Sequence, residues 1–269
     1  MNKYLIVVDL DGTLMLNFYK YERKAVRLLK KLNKKHMVMI ATGRPKRSSI
    51  HMYKKMKLKT PIINYNGALI QHPLDPNFPV TDLRVNKDYI FDIINYLGDD
   101  LENIFSEIHD EIYTMKFDKF VRPYLHVDGG KMHIGPLPEI LHENPNGAIT
   151  FVKKGGSSNL EEYINNKYKG ILRFRYWGED SGIEIGEIYN VLTNKGTGIK
   201  ETIKYYNLDP KYVMAIGDGH NDIEMFNEAG ISVAVGNAHK DLIPHATFVV
   251  DSCYNKGVYK FLKSFFYKK

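Results

Sequence analysis

Residues 7 to 14 read Val-Val-Asp-Leu-Asp-Gly-Thr-Leu and close the chain's first apolar run on two carboxylates, Asp9 and Asp11, two positions apart. Side chains alternate along a strand, so this spacing predicts that both carboxylates leave the same face at the strand's carboxyl tip. In an open parallel sheet that tip is where ligands bind. Gly12 follows and permits a sharp turn, because it carries no Cβ. Two carboxylates crowded at one point repel each other unless a cation lies between them or one holds a proton. Either outcome is useful chemistry.

Working outward, the first eighty residues alternate short apolar runs with amphipathic stretches. Tyr4 to Leu10 reads as a strand, Glu22 to Asn33 as a helix with Ala25, Val26, Leu28, Leu29 and Leu32 on one face, and Met37 to Ala41 as a second strand. A helix from Arg47 to Met56 and a strand from Pro61 to Asn64 follow. Strand, helix, strand, helix, strand predicts an α/β fold with a Rossmann-like doubly wound parallel sheet. The turn-rich stretch Gln71-His72-Pro73-Leu74-Asp75-Pro76 then breaks the rhythm. Beyond it the sequence predicts helices at Lys87 to Leu97 and Ser158 to Tyr168. Strands are expected at Asn103 to Ile108, Ile112 to Met115, Lys131 to Ile134, Ala148 to Val152, Leu172 to Tyr176 and Ser181 to Ile185. This is an inserted α+β domain, after which the first rhythm returns with Thr197 to Tyr206 helical, Tyr212 to Ile216 a strand, Asp222 to Glu228 a helix, and strands at Ile231 to Val235 and Phe248 to Val250.

Three further segments carry chemistry. Ala41-Thr42-Gly43-Arg44 follows a strand, where a hydroxyl and an exposed amide beside glycine can donate to a phosphate oxygen. Gly217-Asp218-Gly219-His220-Asn221-Asp222 also follows a strand and opens a helix; the glycines permit a tight loop that presents Asp218, while Asn221 and Asp222 stand where capping residues would. Asn194-Lys195-Gly196 begins a helix, and a fixed lysine beside several carboxylates would balance charge and orient an anionic substrate.

These four pieces, in this order and at strand tips, resemble the haloacid dehalogenase superfamily of phosphohydrolases. The long insertion between Asn66-Gly67-Ala68 and Lys195-Gly196 resembles the Cof-type branch (IIB) with an α/β cap. The resemblance implies a core formed by residues 1–82 and 187–269 and a cap formed by residues 83–186. It implies Asp9 as nucleophile forming an aspartyl-phosphate, and Asp11 as the acid and then the base. It implies Mg2+ held by Asp9, the backbone carbonyl of Asp11, and Asp218. Thr42, Lys195, Asn221 and the amides of Leu10 and Gly43 would hold the phosphoryl oxygens, with Asp222 orienting Lys195 or a metal-bound water. Arg44, Asn66 and His220 are candidates for the substrate cleft. Relatives more often carry a shorter link with Pro and Gly than the stretch from Glu184 to Lys195 here, so the hinge departs from the family pattern.

The expected function is hydrolysis of phosphate monoesters of small metabolites, such as a sugar phosphate or a pyridoxal-phosphate-like compound. A phosphosugar mutase and a non-catalytic phosphometabolite-binding protein are the alternatives. The 269 residues hold a net charge of +7, which favours anionic partners, but no basic run interleaved with aromatics supports nucleic acid. No apolar stretch is long enough for a membrane span, the start leaves no room for a signal peptide, and a lone Cys253 excludes an internal disulfide; the expected compartment is the cytoplasm. His126 and His133 are expected in cap strands, without zinc spacing. Trp177 is expected in core or cap packing, Cys253 as inert, and the Tyr-Lys-Lys tail as solvated surface.

Overall fold

In a computed structural model of the chain, residues 2–267 are described. In chain order the elements are β1 (Leu5–Val8), α1 (Arg23–Leu32), β2 (Met37–Ala41), α2 (Lys46–Met56), β3 (Ile62–Asn64), β4 (Leu69–Gln71), β5 (Thr81–Asp82), α3 (Lys87–Leu97), β6 (Leu101–Ile108), β7 (Glu111–Thr114), β8 (Lys131–Ile134), α4 (Leu137–Ile140), β9 (Ala148–Lys153), α5 (Gly156–Lys167), β10 (Leu172–Asp180), β11 (Ile183–Asn190), α6 (Lys195–Tyr206), β12 (Val213–Gly217), α7 (Ile223–Asn227), β13 (Ile231–Ala234), β14 (Phe248–Val249) and α8 (Gly257–Tyr267). The chain forms two compact units. One contains the segments ending at Arg44, spanning Ser49–Thr81 and beginning at Asn194; the other contains Pro45–Ser48 and Asp82–Thr193. The sequence-based boundary at 186 falls inside β11, which continues to Asn190.

The first unit is built on a sheet of order β14-β13-β12-β1-β2-β3-β4-β5. From β14 to β3 every neighbouring pair is parallel, and β4 returns antiparallel to β3. The parallel α/β core is therefore as the sequence predicts, with β4, β5 and α8 in addition. The alternation along β1 decides what each face holds. Ile6 and Val8 pack with residues of α1, α2 and α8, including Leu29, Met56 and Leu262. Leu5 and Val7 pack on the opposite face with Ile199 of α6 and Met225 and Phe226 of α7. Burial on both faces explains why the strand sequences are continuous apolar runs. Each end of α1 is closed locally: the Glu22 side chain accepts the Lys24 and Ala25 amides, and Lys30 and Lys31 stand in the last turn, where the helix dipole favours cations.

The second unit is a six-stranded sheet of order β10-β11-β9-β6-β7-β8, antiparallel except between β7 and β8. Ile90 and Ile93 of α3 and Leu160 and Ile164 of α5 join one apolar cluster. Val121 and Leu125, from the segment between β7 and β8, pack in another with Phe105, Phe151 and Ile185. This is an α+β unit. One expectation is corrected. His126 lies in that connecting segment and not in a strand, because the chain there turns to cover the sheet. Of the two placements expected for Trp177, core or cap packing, the structure has the second: it is 45% exposed and its ring lies 6.3 Å from that of Tyr124 in the same unit. In the expected surface tail, Lys268 and Lys269 lie outside the described residues, and Tyr267 ends α8. Among the described residues no helix is long and apolar enough to cross a membrane.

Candidate active site

Three adjacent strands, β12, β1 and β2, end side by side, with Val8 level with Ile216 on one side and Ile40 on the other. Asp9, Asp218 and Thr42 follow those tips, and Lys195 opens α6 on the face to which Leu5 and Val7 point. Asp9 continues the parity of Leu5 and Val7, so its carboxylate reaches that lysine. The Lys195 Nζ donates to Asp9 Oδ1 at 2.7 Å and to Asp222 Oδ1 at 2.6 Å, and the ammonium is wholly buried. Asp222 Oδ2 in turn accepts the backbone amides of Asp218 and Gly219, each at 2.9 Å. Both oxygens of Asp222 are thus engaged. Asp222 thereby ties the Lys195 ammonium to the backbone of the turn after β12.

Asp218 is fixed from the β1 side: the Thr13 hydroxyl donates to its Oδ1 at 2.8 Å. Gly12 has φ +72°, and a Cβ there would stand 2.0 Å from Asp218 Oδ2, so the turn after β1 and the Asp218 carboxylate occupy adjoining space that only glycine leaves open. Gly67 does the same work at α6. With φ +104°, it lets the carbonyl of Asn194 pass where a Cβ would be 2.1 Å away. Asn194 caps α6 by accepting the Thr197 amide at 2.9 Å, which sets where Lys195 begins.

Ligand oxygens of Asp9, Asp218 and Asp222 all lie within 4.8 Å of one another. Three carboxylates against one buried ammonium leave excess negative charge in a site withdrawn from water. Burial raises the Asp9 pKa well above the ordinary carboxylate value; Lys195 opposes this, and Asp222, Asp218 and Asp11 add to it. Asp218 is pushed up to about 7, first by burial and next by Asp222, against the Thr13 bond and Lys195. For Lys195, burial works against the charge, but Asp222 and Asp9 outweigh it and hold the ammonium protonated. A divalent cation fits this donor set. The available atoms are all hard carboxylate oxygens, and the charge imbalance is of the sign that a cation corrects.

Thr42 is fully buried, and its hydroxyl accepts the Arg44 amide at 3.1 Å. Asn221 donates to Asn66 Oδ1 at 2.8 Å, and Asn66 is itself buried beside Gly43. Leu10 is buried, its carbonyl accepting the amides of Thr13, Leu14 and Met15 in the turn. The structure corrects the alternation argument for Asp11. β1 ends at Val8, so period-two parity stops short of Asp11; its carboxylate forks onto Arg44 and is not part of the Asp9–Asp218–Asp222 group. Arg44 and Asn66 are buried and bonded to neighbours, and His220 is exposed with its ring 6.1 Å from that of His239. Thr13 and the Arg44 fork were not anticipated. Thr13 lies within the opening motif, one residue past Gly12, which was the available signal.

A sequence profile of the haloacid dehalogenase-like hydrolases matches residues 6–262. The chain belongs to that family. This haloacid dehalogenase-like hydrolase is 29% identical over 269 residues to a 5-amino-6-(5-phospho-D-ribitylamino)uracil phosphatase of Bacillus subtilis, covering 98% of this chain and 97% of that one. Its fold matches a haloacid dehalogenase-like hydrolase of Bacteroides thetaiotaomicron with TM-score 0.84 at 19% identity, covering 98% and 100% of the two chains. It matches a subclass IIB sugar phosphatase with TM-score 0.80 at 18% identity, covering 98% and 99%. The chain is accordingly a Cof-type haloacid dehalogenase phosphatase, and the acidic group at its strand tips fits the divalent metal general to the family.

Proposed function

We propose that the enzyme is a magnesium-dependent phosphatase that hydrolyses phosphate monoesters of small metabolites through an aspartyl-phosphate. The observation that carries this reading is the buried Lys195 bridging Asp9 and Asp222 while one Asp9 oxygen, Oδ2, is left out of the bridge. Asp9 attacks phosphorus, forming a carboxylate O–P bond as the ester P–O bond breaks, and Asp11 gives its proton to the departing alkoxide. Asp11, now a carboxylate, takes a proton from water; that water attacks phosphorus, the Asp9 O–P bond breaks, and inorganic phosphate leaves. Lys195 holds a phosphoryl oxygen and offsets charge near Asp9, and Thr42, Asn221 and the amides of Leu10 and Gly43 complete the cradle. Asp9, Asp218 and the backbone carbonyl of Asp11 would hold Mg2+, which would supply charge neutralisation between nucleophile and phosphate.

Two similarities support a phosphorylated sugar or sugar-alcohol as substrate: the Bacillus relative is named for a phosphoribityl compound, and a fold neighbour is described as a sugar phosphatase. A pyridoxal-phosphate-like substrate is the second arm. We also place the enzyme in the cytoplasm, on its lone cysteine.

The test is phosphate release across a panel of sugar phosphates, phosphoribityl compounds and pyridoxal phosphate, with magnesium and with chelator. Turnover of one substrate group that requires magnesium, and that Asp9→Asn abolishes with the fold intact, is the expected result. Near-normal activity in Asp9→Asn removes the nucleophile assignment. Transfer of phosphate to a second sugar hydroxyl in place of free phosphate identifies a mutase.

A further inference from the structure

Arg44 stands two residues past Thr42, and its guanidinium is almost wholly buried, with 3% of the side chain exposed. Its Nε donates to Asp11 Oδ2 at 2.7 Å and its Nη2 to Asp11 Oδ1 at 2.5 Å, a planar two-bond fork onto both carboxylate oxygens. Nη2 also reaches the Phe18 carbonyl at 3.4 Å, and the guanidinium carbon lies 5.3 Å from the centre of the Phe18 ring. Arg44 is therefore held independently of Asp11. The Asp11 side chain is 53% exposed. A half-exposed carboxylate after a strand end is ordinarily free to rotate, and here a buried, pre-positioned cation removes that freedom.

We propose that Arg44 is the positioning residue for Asp11, setting the plane and location of the acid–base carboxylate. The inference rests on the reading of Asp11 given above. The site has two separate cations. Lys195 serves Asp9 and Asp222, and Arg44 serves Asp11, which keeps the Asp11 carboxylate out of the Asp9–Asp218–Asp222 group. A group that gives a proton to one oxygen and takes a proton from another, at the same place in turn, works best when its carboxylate returns to one orientation after each transfer. A planar fork enforces that: it takes one lone pair on each Asp11 oxygen, and the proton that Asp11 gives and takes is carried on a lone pair the guanidinium leaves open. A lysine supplies the charge as a point and cannot fix the carboxylate plane.

The test compares wild type, Arg44→Lys, Asp11→Asn and the double variant on p-nitrophenyl phosphate, a good leaving group, and glycerol 1-phosphate, a poor one, with folding checked by circular dichroism. Arg44→Lys is expected to lower kcat on glycerol 1-phosphate at least about tenfold, and on p-nitrophenyl phosphate less than about threefold, with both KM values within about twofold. In the Asp11→Asn background the same substitution is expected to change kcat by less than about twofold, because the two residues act as one unit. Equal kcat losses on both esters, a rise in KM on both, or full additivity with Asp11→Asn overturns the inference while leaving Asp11 in its role. Equal losses on both esters in Asp11→Asn itself would instead overturn the acid–base reading, and this inference with it.

Discussion

Gly12 links the nucleophile's strand to the carboxylate across the site. Its φ of +72° is strained for any residue with a Cβ, and that Cβ would stand 2.0 Å from Asp218 Oδ2. Gly12→Ala therefore either moves Asp218 off its Thr13 bond or twists the turn after Asp9. We expect a loss of more than about tenfold in kcat/KM, since misplacing a catalytic group by an ångström has effects of that order. The magnesium concentration for half-maximal activity should rise as well, because Asp218 is the displaced group. Unchanged turnover and magnesium dependence would show that the turn and Asp218 are not coupled. The glycine itself was legible as a turn. Its closeness to a residue 206 positions later in the chain was not, since that contact exists only once β1 and β12 lie side by side.

At the scale of elements, α8 is the clearest omission from the sequence reading. Val258, Leu262 and Phe266 recur every fourth residue and are buried against the β1 face that carries Ile6 and Val8. The fourfold period is present in the sequence, but only the terminal Tyr-Lys-Lys is assigned from it, to solvated surface, and residues 257–266 receive no element. Leu262→Ala removes a fully buried side chain from this cluster and should destabilise the protein by about 2 to 5 kcal/mol, measured by denaturant unfolding. A loss below about 0.5 kcal/mol, the range of surface substitutions, would show that α8 is not part of the core. Other elements were legible nearly to their ends: β2, α3 and β8 fall at their expected bounds, because each has a clear period or β-branched run between turn residues. β4 was missed because three residues of an antiparallel return carry too little pattern to separate from a turn.

For the whole molecule, the folded arrangement makes stability depend on pH in a direction the composition does not suggest. Asp218 is raised from 3.8 to about 7, so between those values the folded protein holds a proton that the unfolded chain has released. Its contribution to stability is complete below the unfolded value and is lost as pH rises through about 7. Asp9, raised by burial, acts in the same sense as Asp218, while the buried His36, whose pKa is lowered by burial, works in the opposite sense as pH falls below its ordinary value, so the wild-type profile alone mixes these groups. The difference between wild type and Asp218→Asn isolates the Asp218 contribution. In chelator, the variant should match wild type in Tm below the unfolded value of 3.8, begin to exceed it near pH 5, and exceed it most near pH 8, because an amide carries no charge to bury. Magnesium should raise the wild-type Tm near pH 8 and leave the variant's nearly unchanged. A variant less stable than wild type near pH 8 in chelator would contradict the burial argument.

The amino-acid sequence by itself determined the α/β rhythm, the inserted α+β segment, and the order of Asp9, Thr42, Lys195 and Asp218 at the ends of strands and the start of a helix. Those are local properties, set by period, turn residues and spacing within a few positions. Only the tertiary structure decided which charges share a partner. Asp9 meets a lysine 186 residues away and Thr13 meets an aspartate 205 residues away, contacts created by the strand order β12-β1-β2. Asp9 and Asp11, neighbours in sequence, were separated onto Lys195 and Arg44 because β1 ends at Val8 and the alternation that would have paired them ends with it.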